Sequence, residues 1–351
     1  MLNEITEPLL QWYRKNKRTL PWRDRHNSYY TWVSEIMLQQ TRVEAVKPYF
    51  SRFIGELPDV KALAACPEEK LMKLWEGLGY YNRVRNMQQA AVTVTEKYEG
   101  KLPASNEELL KLKGIGSYTA GAIASIAYGI AVPAVDGNVL RVISRITESR
   151  EDIMKQSVRK NMEDALAKVI PGDCPGDFNQ ALMELGAVVC VPNGPARCEC
   201  CPLKDLCLAH LHDTVQELPV KTGKKERKIE ERTVFLIQDG DRTALCRRPS
   251  KGLLAGLYEF PNVLGYLEQE EALHYVRELN LEPLHILELE PAKHIFSHIE
   301  WRMRAYRIRV SSLEQYRGKK LIFADRKESE KQYAIPSAFG AYMRYMKEET
   351  V

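Results

Sequence analysis

The chain has 351 residues, 44% hydrophobic and 28% charged, the composition of an ordinary globular protein long enough for two domains. A net charge of +4 permits a polyanionic partner without requiring one. No apolar run nears the ~18 residues of a membrane span, and MLNEITEPLLQWYRKNK has no apolar stretch after a basic one, so neither a membrane segment nor a signal peptide is expected, which places the chain in the cytoplasm.

Residues 1–207 read as mostly helical. From Tyr29 to Val46 apolar residues recur at helical spacing (Trp32, Ile36, Met37, Val43, Val46), with Ser28 as the expected N-cap. Pro67-Glu68-Glu69 suits a helix start. A Gly77-Leu78-Gly79 turn then precedes Tyr80. Ser105 with Glu108 forms a capping-box pattern. LLKLKGIGSYTAGAIASIAYG (109–129) reads as helix, two-glycine turn, helix, and Asp136-Gly137 and Pro171-Gly172 mark later turns. Residues 208–231, ending in the charge run KTGKKERKIEER, read as a linker. Residues 232–351 change period. TVFLIQDGDRTALC reads as two strands joined by an Asp-Gly turn. A helix is expected from Glu268 to Leu279, and HIFSHIEWRMRAYRIRV (294–310) reads as one long strand, giving an α+β domain.

Four features carry chemistry. The amides of Gly114-Ile115-Gly116, just before a helix, can cradle a phosphate oxygen, although a lone GxG is more often a plain helix cap. Cys190, Cys198, Cys201 and Cys207 follow C-x7-C-x2-C-x5-C. Cytosolic thiols stay reduced, so four within so short a stretch point to metal. Zinc and a [4Fe–4S] cluster both satisfy such a set, and the packed spacing with one C-x2-C pair favours the cluster. Glu35 lies among Trp32, Val33, Ile36, Met37 and Leu38, where burial would raise its pKa and keep its proton available, although a helical Glu is ordinarily a solvated surface residue. Asp136 reads as the N-cap of a helix beginning near Val139, whose positive end would keep it ionised. Two carboxylates in unlike environments are what cleavage of a glycosidic bond needs: a proton for the leaving group and an anion for the sugar cation.

The segments LPWRD, SEIMLQQT, GLGYYNR, KGIGSYTA, VDGNVLRV, the cysteine run and FSH, in this order, resemble the MutY family of adenine DNA glycosylases. That family belongs to the helix-hairpin-helix, endonuclease III superfamily and carries a Nudix-like C-terminal domain. The resemblance implies a [4Fe–4S] cluster on the four cysteines, although the first spacer is one residue longer than the family's C-x6-C. It implies Glu35 as general acid, Asp136 as stabiliser of the sugar cation and Asn138 as a positioning residue. Trp22, Arg23 and Gln180 would line the adenine pocket, Gln40 and Tyr80 would wedge into the duplex, and Phe296, Ser297 and His298 would read 8-oxoguanine. Position 118 holds tyrosine where related bifunctional enzymes hold a lysine nucleophile, so Tyr118 implies no lyase step. Glu184 is expected to be structural. The run RELNLEPLH (277–285) lacks the paired acids of a Nudix hydrolase, so pyrophosphatase activity is not expected. The implied partner is double-stranded DNA with adenine opposite 8-oxoguanine or guanine, bound by a nucleoid-associated monomer.

Overall fold

The computed structural model describes residues 2–23, 27–223 and 226–346. Helices follow in order: α1 (Thr6–Asn16), α2 (Ser28–Leu38), α3 (Val43–Glu56), α4 (Val60–Ala65), α5 (Glu68–Leu74), α6 (Asn82–Lys97), α7 (Asn106–Leu110), α8 (Ser117–Tyr128), α9 (Gly137–Ile146), α10 (Gln156–Ala167), α11 (Pro175–Val188) and α12 (Leu208–Leu211). The chain divides into two compact units. One comprises Met1–Cys66 with Asn82–Gly223, the other Pro67–Tyr81 with Lys224–Val351.

In the helical unit, α2 packs on α8, and α11 packs on α1, α8 and α9. One apolar core joins Leu9 and Leu10 of α1, Val139 and Val142 of α9, and Phe178 and Leu182 of α11. The local sequence explains the ends. Asn27, rather than the expected Ser28, caps α2 by accepting from the amides of Tyr29 and Tyr30. A free Oδ1 one residue earlier reaches both orphan amides, and Ser28 is already helical. Ser105 caps α7 and Asp136 caps α9, as their spacing predicts.

The second unit is a mixed sheet. Its strands are β1 (Lys228–Asp239), β2 (Arg242–Arg247), β3 (Tyr258–Glu259), β4 (Asn262–Leu264), β5 (Pro283–Ile295), β6 (Ile299–Val310) and β7 (Leu321–Ala324). The order is β3-β2-β1-β6-β5, with β4 on β1 and β7 on β2. Only the β1–β6 pair among these is parallel. Helix α13 (Gln269–Glu278), capped by the Glu268–Glu271 box, matches the helix expected there; α14 (Arg326–Gln332) and α15 (Gly340–Met343) complete the unit. Both sheet faces are covered. Trp301, Met303 and Ala305 enter one core, while Tyr306, Ile308 and Val310 enter the other.

Three expectations are corrected. The 294–310 segment is a hairpin: β5 ends at Ile295 and β6 begins at Ile299, so Phe296–His298 forms the turn. Segment 208–231 is largely folded, with α12 on α9 and β1 starting at Lys228; Lys224 and Lys225 lie outside the described residues. Segment 67–81 belongs to the sheet unit. There Lys73 Nζ donates to the carbonyls of Ser329 (3.2 Å) and Tyr333 (3.0 Å), and Glu76 accepts from the Ile335 amide at 2.7 Å.

Gly121 marks the closest packing of α8. A Cβ there would overlap the Pro133 carbonyl oxygen. Overpacking against rigid backbone costs about 1–3 kcal/mol. Gly121→Ala should therefore lower the thermal midpoint of the chain by several degrees, which a circular-dichroism melt will show.

Candidate active site

Glu35 sits on α2 and is 6% exposed, walled by the apolar residues that make α2 a core helix. Tyr118, in the first turn of α8, donates its phenol to Glu35 Oε2 and also touches Met183 Sδ of α11. Burial pushes the Glu35 carboxyl up to about 7. The phenol's hydrogen bond and the Arg23 charge act against that rise, and the Asp136 charge adds to it. Asp136 is felt by both Glu35 and Tyr118, so the two acids share one site.

Asp136 accepts from the amides of Asn138 and Val139, each at 2.8 Å, and from Asn138 Nδ2 at 2.7 Å. The helix end is expected to keep this acid ionised; burial raises its pKa, against the pull of those three donors. The acids are thus unequal, one donor at Glu35 and three at Asp136. A hydrogen bond to a carboxylate favours its charged form, so Asp136 is the group that stays ionised and Glu35 the one that keeps a proton.

The other expected residues are distributed as follows. Arg23 is drawn to Glu184, its Nη2 lying 2.7 Å from Oε2. Glu184 is 1% exposed and also takes Arg18 Nε at 2.5 Å. Burial would raise its pKa, but the two arginines outweigh it and hold the carboxyl low. The structural part expected for Glu184 is therefore a two-arginine anchor. Trp22 is buried and packs edge-on against Phe50, and Gln180 bonds within its own helix to the Gly176 carbonyl. Gln40 follows α2 with φ +60°. Gly114 takes φ +77°, so the turn before α8 needs glycine there, while Ile115 is buried and Gly116 precedes α8 with open space around its Cα. In the sheet unit Tyr80 has φ +48°, is 48% exposed, and its hydroxyl lies 3.2 Å from Ser297 Oγ. His298 is exposed beside it.

Three arginines escaped the sequence reading. Arg83 Nη1 donates to the carbonyls of Ile36 (2.7 Å), Met37 (3.3 Å) and Gln39 (2.5 Å), closing the end of α2 between Glu35 and Gln40. Arg141 Nη2 donates to Asn138 Oδ1 and the Gly186 carbonyl, and its Nε to the Cys190 carbonyl at 2.8 Å. One turn on, Arg145 Nη1 lies 3.2 Å from Cys190 Sγ. Both are 4% exposed. A usable signal was present: VLRVISRI puts two arginines on a helix whose other residues are almost all apolar. Cys190, Cys198, Cys201 and Cys207 line one small pocket together with Arg145, Lys204 and His210.

A helical unit that brings a two-glycine turn beside two buried acids of unlike surroundings suits a base-excision repair glycosylase. Residues 33–168 match the HhH-GPD superfamily of base excision DNA repair proteins, and residues 233–345 match the NUDIX domain. The structure is similar to an endonuclease III solved in a non-covalent complex with DNA, at 26% identity and a TM-score of 0.52, over 61% of this chain and 98% of that one. An adenine DNA glycosylase of Buchnera aphidicola is 35% identical over 84% of this chain and 82% of its own length. An Arabidopsis thaliana adenine DNA glycosylase is 38% identical over 77% of this chain, which spans about half of that protein, 49%. The chain belongs to the adenine DNA glycosylase family.

Burial of Glu35 can be tested through stability as well as rate. Its folded pKa, about 7, lies above the ordinary 4.5, so the group loses stability as pH rises through that window. Glu35→Gln should raise the thermal midpoint at pH 8, with the gain shrinking as pH falls towards 4.5. The same variant should lose about 10²–10⁴-fold in excision rate, the worth of a general acid. Tyr118→Phe removes a bond that favours the carboxylate, so the alkaline limb of the rate profile should move to higher pH.

Proposed function

We propose that the chain removes adenine paired with 8-oxoguanine or guanine from duplex DNA, by hydrolysis and without strand cleavage. The observation that carries this is the buried Glu35, its carboxyl pushed up to about 7 by burial, beside the three-donor Asp136. Glu35 gives its proton to N7 of an extruded adenine. The C1′–N9 bond then breaks with its electron pair going to the base, so adenine leaves neutral. Positive charge develops on the sugar, and the Asp136 carboxylate stabilises it across a site with little water. Glu35, now ionised, takes a proton from the water that adds to C1′. Tyr118 holds Glu35 Oε2 through this cycle. A phenol forms no Schiff base, so no covalent lyase intermediate is expected.

The remaining residues supply binding. The amides around Gly114, Ile115 and Gly116 suit a phosphate oxygen at the start of α8. Gln40 and Tyr80 fill the space of the extruded base, while Arg23, Trp22 and Gln180 shape the pocket that receives it. Phe296, Ser297 and His298 face the opposite base, where a hydroxyl can answer an N7–H or O8. The chain acts as a monomer in the cytoplasm, on the nucleoid.

Cys190, Cys198, Cys201 and Cys207 suit a [4Fe–4S] cluster. Their pocket is flanked by Arg145 and Lys204, whose positive charge suits an assembly of four thiolates. Among the described residues no three His, Cys, Asp or Glu side chains converge on a single metal ion. Bound there, the cluster would tie residues 190–207 together and add no redox step to base removal.

Duplexes with adenine opposite 8-oxoguanine should be cut only after alkali treatment, and borohydride should trap no substantial covalent adduct; efficient trapping would refute the monofunctional mechanism. Cys201→Ser should lose iron and visible absorbance together, as read by metal analysis of the purified chain; full iron retention would remove that cysteine from the ligand set.

A further inference from the structure

The Phe296–His298 turn is short and solvent-facing, with Ser297 and His298 both exposed. Its main chain is tied at two points: the Phe296 amide donates to the Ile299 carbonyl at 2.8 Å, and the His298 carbonyl accepts from the Lys228 amide at 3.0 Å. Its side-chain anchor is Phe296, which is half-buried and meets Trp301 edge-on, with ring centroids 4.9 Å apart. His294 closes the other side of that ring at 4.6 Å.

Trp301 is fully buried, yet its surroundings are charged. Its Nε1 donates to Glu230 Oε2 at 3.1 Å. The Arg232 guanidinium sits 4.3 Å from the ring centroid, and Arg248 stands 5.6 Å from it. Each arginine has its own acid, Glu230 for Arg232 at 3.2 Å and Glu259 for Arg248 at 2.5 Å. Asn262 accepts from Arg232 Nη1 at 2.6 Å. A tryptophan needed only to fill a core requires an acceptor for its N–H, but neither a charged acceptor nor two guanidinium groups around its ring. Apolar neighbours would hold its area without the desolvation that four partly buried charges incur. What the charges add is direction. An N–H bond fixes the edge of the indole, a cation fixes its face, and together they leave the ring one orientation.

We propose that Trp301, clamped by Glu230 and Arg232, is a positioning residue for opposite-base discrimination, setting Phe296 and through it the place of Ser297 and His298. It rests on the assignment of that turn to the opposite base, and acts without touching DNA.

The test uses the full, cluster-bearing chain. Trp301→Phe keeps an aromatic ring but removes the N–H and weakens the cation–π contact. Glu230→Gln removes the charge at a site near the surface and serves if the tryptophan variant fails to fold. Single-turnover rates are measured for adenine opposite 8-oxoguanine and opposite guanine, with amide exchange at Phe296 followed alongside. Each variant should lower the ratio of the two rates roughly fivefold, the scale of one aromatic or cation–π contact. Exchange of the Phe296 amide should quicken with it. Equal loss on both substrates, or an unmoved Phe296 amide, would overturn the proposal. Ser297→Ala with His298→Ala is the control for the turn itself. It should lower the ratio while leaving Phe296 exchange as it was, and should not add to Trp301→Phe. Full additivity would show that Trp301 acts by another route. If the control leaves the ratio unchanged, the assignment of the turn to the opposite base falls, and Phe296 exchange still decides whether Trp301 positions it.

Discussion

A carboxylic acid that must hold a proton at neutral pH has to be kept from water, and the helical unit is organised around doing that for Glu35. Helix α2 is buried along most of its length, from Tyr29 to Met37, so an acid placed on it is desolvated wherever it points. Its two ends are fixed independently. Asn27 satisfies the first amides, and Arg83 satisfies three carbonyls at the other end. With both ends tied, Glu35 cannot relieve its burial by sliding towards solvent, and the proton is what remains to relieve it.

The second acid solves the opposite problem. Asp136 is also desolvated, but it is the cap of α9 and has three donors. Its position depends on Asn138, whose Oδ1 is taken by Arg141; Arg141 in turn grips Gly186 and Cys190. Gly186 is glycine because a Cβ there would strike Asn138. The strand of contacts from Asp136 to the cysteine cavity is therefore continuous, and α9 carries both Arg141 and Arg145 to it. An acid held from several sides loses little orientation entropy when charge appears in front of it, which is what preorganisation means at such a site.

Local chemistry was legible in the sequence where one residue type answers one geometric need. The Asp-Gly turn between β1 and β2, the Ser105 and Asp136 caps and the helix from Gln269 all follow from short-range rules. What could not be read depends on distant partners. The alternation through 294–310 continues across the Phe296–His298 turn because the residues on both sides serve the same sheet face, so periodicity alone sees one strand. The linker expected over 208–231 hides α12, whose four residues are too few to show a helical period. Segment 67–81 looks like part of the helical run, and long-range contacts such as those of Lys73 and Glu76 with Ser329, Tyr333 and Ile335 reveal where it packs. The cysteine set was visible by spacing, whereas its arginine neighbours could be suspected from the apolar helix around them but not matched to their distant partners.

Backbone strain marks Gln40 and Tyr80, the residues proposed as wedges, as it marks Glu99, Glu148, Asp213, Leu254 and Asn280. A non-glycine residue in the left-handed region costs on the order of 1 kcal/mol or more and persists only where its surroundings hold it. Gln40 and Tyr80 both adopt that conformation, one in each unit, and each is held by a neighbour on one side. Arg83 binds the Gln39 carbonyl immediately before Gln40. Trp75, fully buried, donates Nε1 to the Gly79 carbonyl immediately before Tyr80 at 3.0 Å. In both places a long side chain spends its donor on the peptide that precedes an exposed residue with a left-handed backbone. For a side chain proposed to enter a stacked duplex such a backbone has a use, because the strain is met during folding rather than at the moment of contact.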